Sequence, residues 1–191
     1  MSQQTYTLFI VALAAERSFE LWLSRRNASW AKRQGGVEYG AEHLAWMKLL
    51  HAGFFVGCIA EVWLLSRAFD VWLGAISLCV AVLAQGLRYW AIASLGPRWN
   101  VAVIVLPGVP AVATGPYRWL RHPNYVAVVA EGVAVPLVHS AFITAGVFSC
   151  LNALLLSVRI RCEERALREH CDYSERLGAR ARFWPARTTP P

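Results

Sequence analysis

Residues 115–167 decide the fold, because they hold two polar segments, GPYRWLRHPNY at 115–125 and RIRCEERAL at 159–167, joined by two apolar runs. The apolar runs cover 125–138 and 141–159. The first is short and contains Pro136, so we predict a helical hairpin that turns near His139 and Ser140. Pro123 suits the first turn of the hairpin's first helix, where its missing N–H needs no partner. Both polar segments therefore lie at the open end of one hairpin.

Three further apolar segments precede the hairpin, at 5–23, 45–65 and 71–95. Each is close to the roughly 20 helical residues that span the hydrocarbon core of a membrane. Hydrophobic residues make up 57% of the 191 residues and charged residues only 16%, which is too apolar for an ordinary soluble domain. We therefore predict an all-α integral membrane protein of about five transmembrane helices. We expect one domain, with three spans in 1–95 and the hairpin core in 96–191.

Basic residues alternate between rich and poor loops. The second loop holds only Arg67 and the fourth holds none, whereas the other loops and the tail are rich: Arg25, Arg26, Lys32, Arg33, then Arg98, Arg118, Arg121, then Arg161, Arg165, Arg168, Arg176, Arg180, Arg182 and Arg187. Because basic loops stay in the cytoplasm, this pattern predicts an outside N-terminus and a cytoplasmic C-terminus, in a bacterial inner or plasma membrane. The formal charge of +7 has the same origin, so we expect no nucleic-acid partner.

Cysteine spacing and the N-terminus exclude two other classes of feature. The five cysteines form no CxxC pair, so the sequence predicts neither disulfides nor a metal site. The N-terminus lacks a basic region and a small-residue cleavage site, so we expect the first apolar segment to be retained. The loop 96–124 has glycines and prolines on both sides of the β-branched run 101–105, which predicts a short hairpin or irregular cap over the cytoplasmic mouth.

Ionisable residues also fall inside the predicted spans. Glu131 shares a helical stripe with Asn124 and Val128, about 10 Å along the helix, and an ionisable group at such depth indicates function unless a neighbour simply neutralises it. Glu16 and Glu20 share one face of the first helix, where they either line a binding site or form salt bridges within the bundle. Arg17 belongs with these two residues, and Glu61, Gln85 and Arg88 are candidates for the same interior network.

The polar segments of the hairpin allow a structural interpretation as well. Arg121 and His122 are in part the flanking charge that any cytoplasmic helix end attracts. Glu163 and Glu164 lie four residues from Arg159 and Arg168, the spacing of solvated helix pairs. Such pairs contribute only a few tenths of a kcal/mol, so they explain little by themselves.

The pattern from residue 115 to 167 resembles the catalytic core of the isoprenylcysteine carboxyl methyltransferase family, membrane enzymes that use S-adenosylmethionine. Phospholipid methyltransferases share a related core. The N-terminal segments AERSFEL at 15–21, SRRN at 24–27 and GGVE at 35–38 are similar to a bacterial branch of the family. Some members of that branch are thought to O-methylate alkylated pyrones or resorcinols, which shifts the expected acceptor away from prenylated proteins.

The resemblance implies roles for individual residues. The cofactor pocket would be built by Tyr117, Arg121, His122, Pro123, Tyr125, Glu163 and Glu164. These types suit S-adenosylmethionine, because carboxylates accept from its hydroxyls and ammonium, Arg binds its carboxylate, and aromatic faces attract its sulfonium. Trp119 is a further candidate for the aromatic face.

The sequence leaves open which chemical group accepts the methyl group. A carboxylate acceptor is already ionised and needs only a cation such as Arg159, whereas a phenol needs a base such as His122 or Glu131. Glu16 and Glu20 are candidates for binding a lipophilic or prenylated acceptor drawn from the membrane lipid. Membrane sterol reductases that use NADPH carry a similar Arg-His-Pro-Asn-Tyr segment, and a non-enzymatic membrane scaffold is the third class.

Overall fold

The computed structural model describes residues 1–183, and Arg187 of the predicted basic tail lies outside the described residues. Five long helices correspond to the five apolar segments. The elements in chain order are α1 (Gln3–Arg33), β1 (Val37–Tyr39), α2 (Ala41–Leu64), α3 (Val71–Leu95), β2 (Val103–Val105), α4 (Pro123–Leu137), α5 (Phe142–His170) and α6 (Tyr173–Leu177). The mostly helical membrane fold is confirmed.

Three helices of the described chain are long and apolar enough to cross a membrane, judged by length and composition: α2, α3 and α5. The fourth, α4, is a shorter apolar helix of 15 residues. The longest helix, α1, has 31 residues but carries Glu16, Arg17 and Glu20 in its middle. The number of five spans therefore stays a prediction.

Two helices run well past their apolar segments. The first continues from Leu23 to Arg33, and α5 continues from Arg159 to His170. Hydropathy marks where apolar side chains stop, whereas a helix ends where its backbone hydrogen bonding ends. Basic side chains in the last turn, Arg168 and His170, favour the C-terminus of α5 through the helix dipole. The acidic pair at 163 and 164 therefore lies on the hairpin's own second helix.

The predicted hairpin is confirmed, and its two helices pack closely. Helix α4 lies between α3 and α5, while α2 packs against α5 and α1. A Cβ added at Gly132 would lie 2.4 Å from Cε1 of Phe148, so this glycine permits the close approach. The chain turns at His139 and Ser140, and Ser140 adopts a left-handed φ of 59°. Pro123 is the first residue of α4, as expected.

The β-branched run in the loop after α3 pairs with a distant segment. Instead of a local hairpin, β2 forms an antiparallel ribbon with β1 of the first loop, with Val37 opposite Val105 and Tyr39 opposite Val103. Pro107 and Pro110 follow the run and have no N–H to donate, which disfavours a local return strand. The ribbon packs on Ala166 of α5 and thus ties the first loop to the end of the hairpin.

A buried carboxylate holds the opposite end of α5. Glu61 of α2 accepts hydrogen bonds from the backbone N–H groups of Ile143 and Thr144, at 3.1 and 2.7 Å, and from Arg67 at 2.7 Å. These N–H groups lie in the first turn of α5 and have no partner within the helix. Glu61 therefore caps α5, and the expectation that it joins the interior network of α1 is wrong.

We predict that Glu61→Ala lowers the free energy of unfolding by about 3 to 5 kcal/mol, because Arg67 and two helix N–H groups lose their partner in a buried setting. The measurement is equilibrium unfolding of the purified protein in detergent micelles. Glu42→Ala is the matched control, since Glu42 is exposed at the start of the same helix, and it should change stability by less than about 0.5 kcal/mol. Equal stability of both variants would contradict the capping role.

Candidate active site

A cavity of about 530 Å³ runs along the inside of the bundle from the open end of the hairpin. One end is lined by Arg121, His122 and Glu163. The other end is lined by a second set of charged side chains, Arg17, Glu20 and Arg88. Tyr125 and Arg159 lie on its wall, together with the loop 98–112. The cavity thus connects the two groups of residues that the sequence singles out.

The segment before α4 is fixed on both sides. Gly115 has a left-handed φ of 58°, and a Cβ there would lie 2.0 Å from Oγ of Ser94, so the turn sits directly on α3. The backbone N–H groups of Arg121 and His122 donate to the carbonyl oxygens of Ala181 and Arg182, at 2.9 and 3.3 Å. This pairing holds both side chains at the cavity end.

Glu164 is the most heavily bonded acidic residue of the site. Its side chain is 2% exposed and accepts from Arg121 at 3.3 Å, Arg168 at 2.8 Å and Arg182 at 2.7 Å. Nε2 of His122 lies 3.1 Å from the same carboxylate. The carboxylate of Glu164 in turn raises the pKa of Arg182. Glu164 does not line the cavity, so it lies behind the residues that do.

Glu163 belongs to a different chain of contacts. Its carboxylate accepts from the hydroxyl of Tyr125, and that hydroxyl accepts from Nε of Arg159 at 2.7 Å. The remaining nitrogens of Arg159 donate to the carbonyl of Val101 and to Sδ of Met47. The Tyr125 ring stacks on His122, with centroids 5.3 Å apart. Glu163 and Arg159 therefore meet through Tyr125 and not as a direct helix pair.

The inner end of the cavity carries a buried network of charges. Glu20 binds Arg88 through two hydrogen bonds of 2.7 and 2.6 Å, and Arg17 lies 2.9 Å from Glu20 and 2.8 Å from Glu131. Gln85 connects Arg17 with Glu16. Three carboxylates face two guanidinium groups here. Oε1 of Glu131 is buried and has no partner among the described residues.

Not every predicted residue lines the cavity. Tyr117 and Tyr125 do, and burial together with the charge of Glu163 raises the pKa of Tyr117, which stays a neutral phenol. Pro123 is buried at the first position of α4, where it helps to start the helix and does not line the cavity. Trp119 is 51% exposed and packs against Trp90, outside the cavity. Glu131 lines a second, deeper cavity.

Sequence reasoning missed three contributors. Asn124 lines the cavity, and its buried Oδ1 has no partner within residues 1–183, although the residue stands inside the quoted motif. Tyr173 lines the cavity, and Arg182 binds Glu164. These two residues lie beyond the hairpin, and no spacing in the sequence connects them to it. The parallel pairing of Leu120 with Ala181 and the hydrogen bonds of Arg182 to Glu164 bring the segment around Arg182 back to the site.

The fold and the cavity place the chain in the class of intramembrane methyltransferase folds. A solved structure of the eukaryotic intramembrane Ras methyltransferase, isoprenylcysteine carboxyl methyltransferase, matches 69% of this chain and 50% of that chain, with a TM-score of 0.53 and 24% identity. The model described as the isoprenylcysteine carboxyl methyltransferase family matches residues 75–169. The chain belongs to the isoprenylcysteine carboxyl methyltransferase family.

Two relatives show how far the similarity extends. YpbQ of Bacillus subtilis is 42% identical over 166 residues, which cover 86% of this chain and 98% of that protein. The protein-S-isoprenylcysteine O-methyltransferase of Tribolium castaneum is 31% identical over 116 residues, covering 56% of this chain and 41% of that protein. The chain is therefore a membrane methyltransferase of the isoprenylcysteine type.

We predict that Glu164→Ala loosens the segment before α4, because Arg121, His122 and Arg182 lose the carboxylate that holds them together. Backbone amide exchange at residues 121 and 122, measured by hydrogen–deuterium exchange, should accelerate at least about tenfold, which corresponds to about 1.4 kcal/mol of local stability. Glu169→Ala is the control, since Glu169 is exposed on the same helix. Unchanged exchange in the Glu164 variant would show that the segment is held by other contacts.

Proposed function

We propose that this protein is an integral-membrane O-methyltransferase that transfers the methyl group of S-adenosylmethionine to a hydroxyl of a lipophilic acceptor. The observation that carries the proposal is the single cavity that joins the Glu163 end of the hairpin to a charged site inside the bundle. A water-soluble cofactor and a membrane-soluble acceptor can meet in such a cavity. The alternation of basic loops supports a cytoplasmic cofactor end, with the N-terminus outside.

The cavity end fits S-adenosylmethionine by the chemistry of its unpaired groups. Among the described residues, Nε of Arg121 is a buried donor without a partner and Oδ1 of Asn124 is a buried acceptor without a partner. A ligand with both a carboxylate and an amino group satisfies both. Glu163 offers a carboxylate for hydroxyl or ammonium groups, and Tyr117 and Tyr125 offer aromatic faces for a cation. Glu164 acts behind them as the residue that positions Arg121 and His122.

The cofactor supplies an electrophilic methyl group, and the protein's own residues supply alignment. An in-line displacement gains most from holding the reacting atoms in position and from excluding water. The loop 98–112 and the β1–β2 ribbon cover the cavity and limit access of water. Tyr125 is held between Glu163 and Arg159, which fixes its ring at the middle of the cavity.

A hydroxyl acceptor is favoured over a carboxylate by the excess of negative charge in the inner network. Arg159 uses three of its five N–H donors on Tyr125, Met47 and Val101, which fixes its guanidinium beside Tyr125. The inner network has one carboxylate more than it has guanidinium groups, and Glu131 keeps an unpaired acceptor oxygen. A neutral head group that donates a hydrogen bond suits this network. A prenylcysteine carboxylate, the acceptor suggested by the Tribolium relative, is the alternative.

His122 is the residue best placed to take the proton from such an acceptor. Its Nε2 is bound to the Glu164 carboxylate, which leaves Nδ1 as the nitrogen that can accept a proton. A carboxylate that orients an imidazole in this way is a recurrent arrangement for a general base. Glu131 lies about 9 Å deeper than Tyr125 along α4, which favours binding of the acceptor over proton transfer at the methyl donor.

We predict that S-adenosylmethionine binds the detergent-purified protein and that Glu163→Ala weakens this binding at least about tenfold, since a charged hydrogen bond contributes about 1.5 kcal/mol or more. Isothermal titration calorimetry measures the affinity of the wild-type protein and of the Glu163 variant. Glu169→Ala serves as the surface control. NADPH should not bind, because Glu163, the carboxylate that lines the cavity end, suits an ammonium or hydroxyl group better than a phosphate. Binding of NADPH in place of S-adenosylmethionine would contradict methyl transfer and favour a reductase, and full affinity of the Glu163 variant would refute the site.

We also predict that His122→Asn lowers kcat about a hundredfold with a phenolic acceptor whose pKa lies near 10, the lower range of general-base contributions. An acceptor phenol that is already ionised at the assay pH should be methylated by the variant at nearly the wild-type rate. The comparison of kcat between the two acceptors separates proton removal from cofactor binding. Equal losses with both acceptors would mean that His122 acts on binding or structure.

A further inference from the structure

A second cavity of about 120 Å³ lies deeper in the bundle, beyond the charged network. All five long helices contribute to it. Its wall is mostly apolar, with Phe54, Ala81, Val135 and Phe148 buried around it. Arg17, Arg88, His51, Phe55 and Val128 line both cavities, so the two spaces are neighbours along the same axis.

Along this axis the lining side chains are first polar, then charged and then apolar. The cofactor end lies at Glu163, the charged network follows at the level of Glu131, and the second cavity ends among phenylalanines. From Tyr125 to Glu131 the helix rises about 9 Å, enough room for one six-membered ring between the cofactor end and the network. A molecule aligned with this axis has a compact polar head and an apolar tail.

We propose that the second cavity binds the end of the acceptor's alkyl tail and sets the preferred chain length, an inference that rests on the proposed methyltransferase function. An engineered cavity of about 150 Å³ lined by Leu, Ile and Phe binds benzene, so a space of this size holds about six carbon atoms. The rings of Phe54 and Phe148, with centroids 4.4 Å apart, form an apolar part of its wall that we call the floor. Phe148 in turn is fixed against Gly132, where a Cβ would lie 2.4 Å away.

The network above the cavity is compatible with a passing chain. Both of its guanidinium groups pair with carboxylates, as Arg88 with Glu20 and Arg17 with Glu131, and Oε1 of Glu131, which has no partner among the described residues, is the acceptor for the hydroxyl of the head group. Val82 and Leu78 of α3 also line the cavity and are 62% and 42% exposed. They face outward, toward the lipid, which gives an apolar tail a route from the bilayer.

The test compares two variants that change the cavity in opposite directions. Ala81→Leu fills the space, whereas Phe148→Leu enlarges its floor. The probes are para-alkylphenols from ethyl to dodecyl, assayed with S-adenosylmethionine. For wild-type protein kcat/KM should rise about fourfold for each added methylene until the tail reaches the floor, and then level off. The length at which it levels off should decrease by about three carbons in Ala81→Leu and increase in Phe148→Leu.

Leu83→Phe is the matched control, because Leu83 lies on the same helix, is 68% exposed and does not line the cavity. Its chain-length profile should equal that of the wild type. An unchanged profile in both cavity variants would overturn the inference, whatever the overall activity. Opposite shifts in the two variants cannot come from a general loss of folding.

Calorimetric binding of the same alkylphenols separates this inference from the proposed function. If no alkylphenol is methylated, the proposed acceptor class is wrong, but the affinity should still rise with chain length and level off earlier in Ala81→Leu. Affinity that does not depend on chain length in any variant would refute the tail cavity even if methyl transfer is observed. A geranyl-substituted phenol that binds more tightly than every straight chain would also overturn the alkyl assignment.

Discussion

A charge in an apolar interior is costly unless it is paired, and this constraint organises the whole bundle. Glu61 caps the start of α5, and Glu164 gathers three arginines and a histidine near its other end. A third carboxylate, Glu20, ties α1 to α3 through Arg88. The pairings of Glu164 and Glu20 hold residues that line the cavity, namely Arg121, His122 and Arg88, whereas Glu61 fixes the far end of α5.

The helices of this chain could be predicted from apolar runs, because the membrane forces the backbone to satisfy its hydrogen bonds locally. The positions at which the helices end could not be predicted in this way. Hydropathy places the end of the last span at Arg159, yet α5 continues to His170 and carries Glu163 and Glu164 with it. The β-branched run after α3 predicts a short hairpin or irregular cap, but the strand it forms pairs with Val37–Tyr39, 66 residues away, and such a pairing leaves no local signal.

The site residues, like the helices, could be predicted from the sequence only in part. The quoted motifs contain the residues that line the cofactor end, but the sequence does not distinguish Glu163 from Glu164. Neighbouring positions on a helix point about 100° apart, so one carboxylate faces the cavity and the other faces the arginines behind it. The segment with Arg182 and Tyr173 reaches the site through tertiary contacts with residues 120–122 and with Glu164, for which periodicity offers no indication.

The separation of roles along α4 follows from helix geometry. Asn124 and Val128 line the first cavity and Glu131 and Val135 the second, so one stripe of a single helix passes from the cofactor end to the apolar floor. Gly132 brings this helix against Phe148 and thereby sets the depth of the second cavity. A larger residue at that position would meet Cε1 and Cδ1 of Phe148, so the ring would have to turn away and the shape of the second cavity would change with it. The close approach of α4 and α5 at Gly132 is therefore what gives the apolar end of the site its shape.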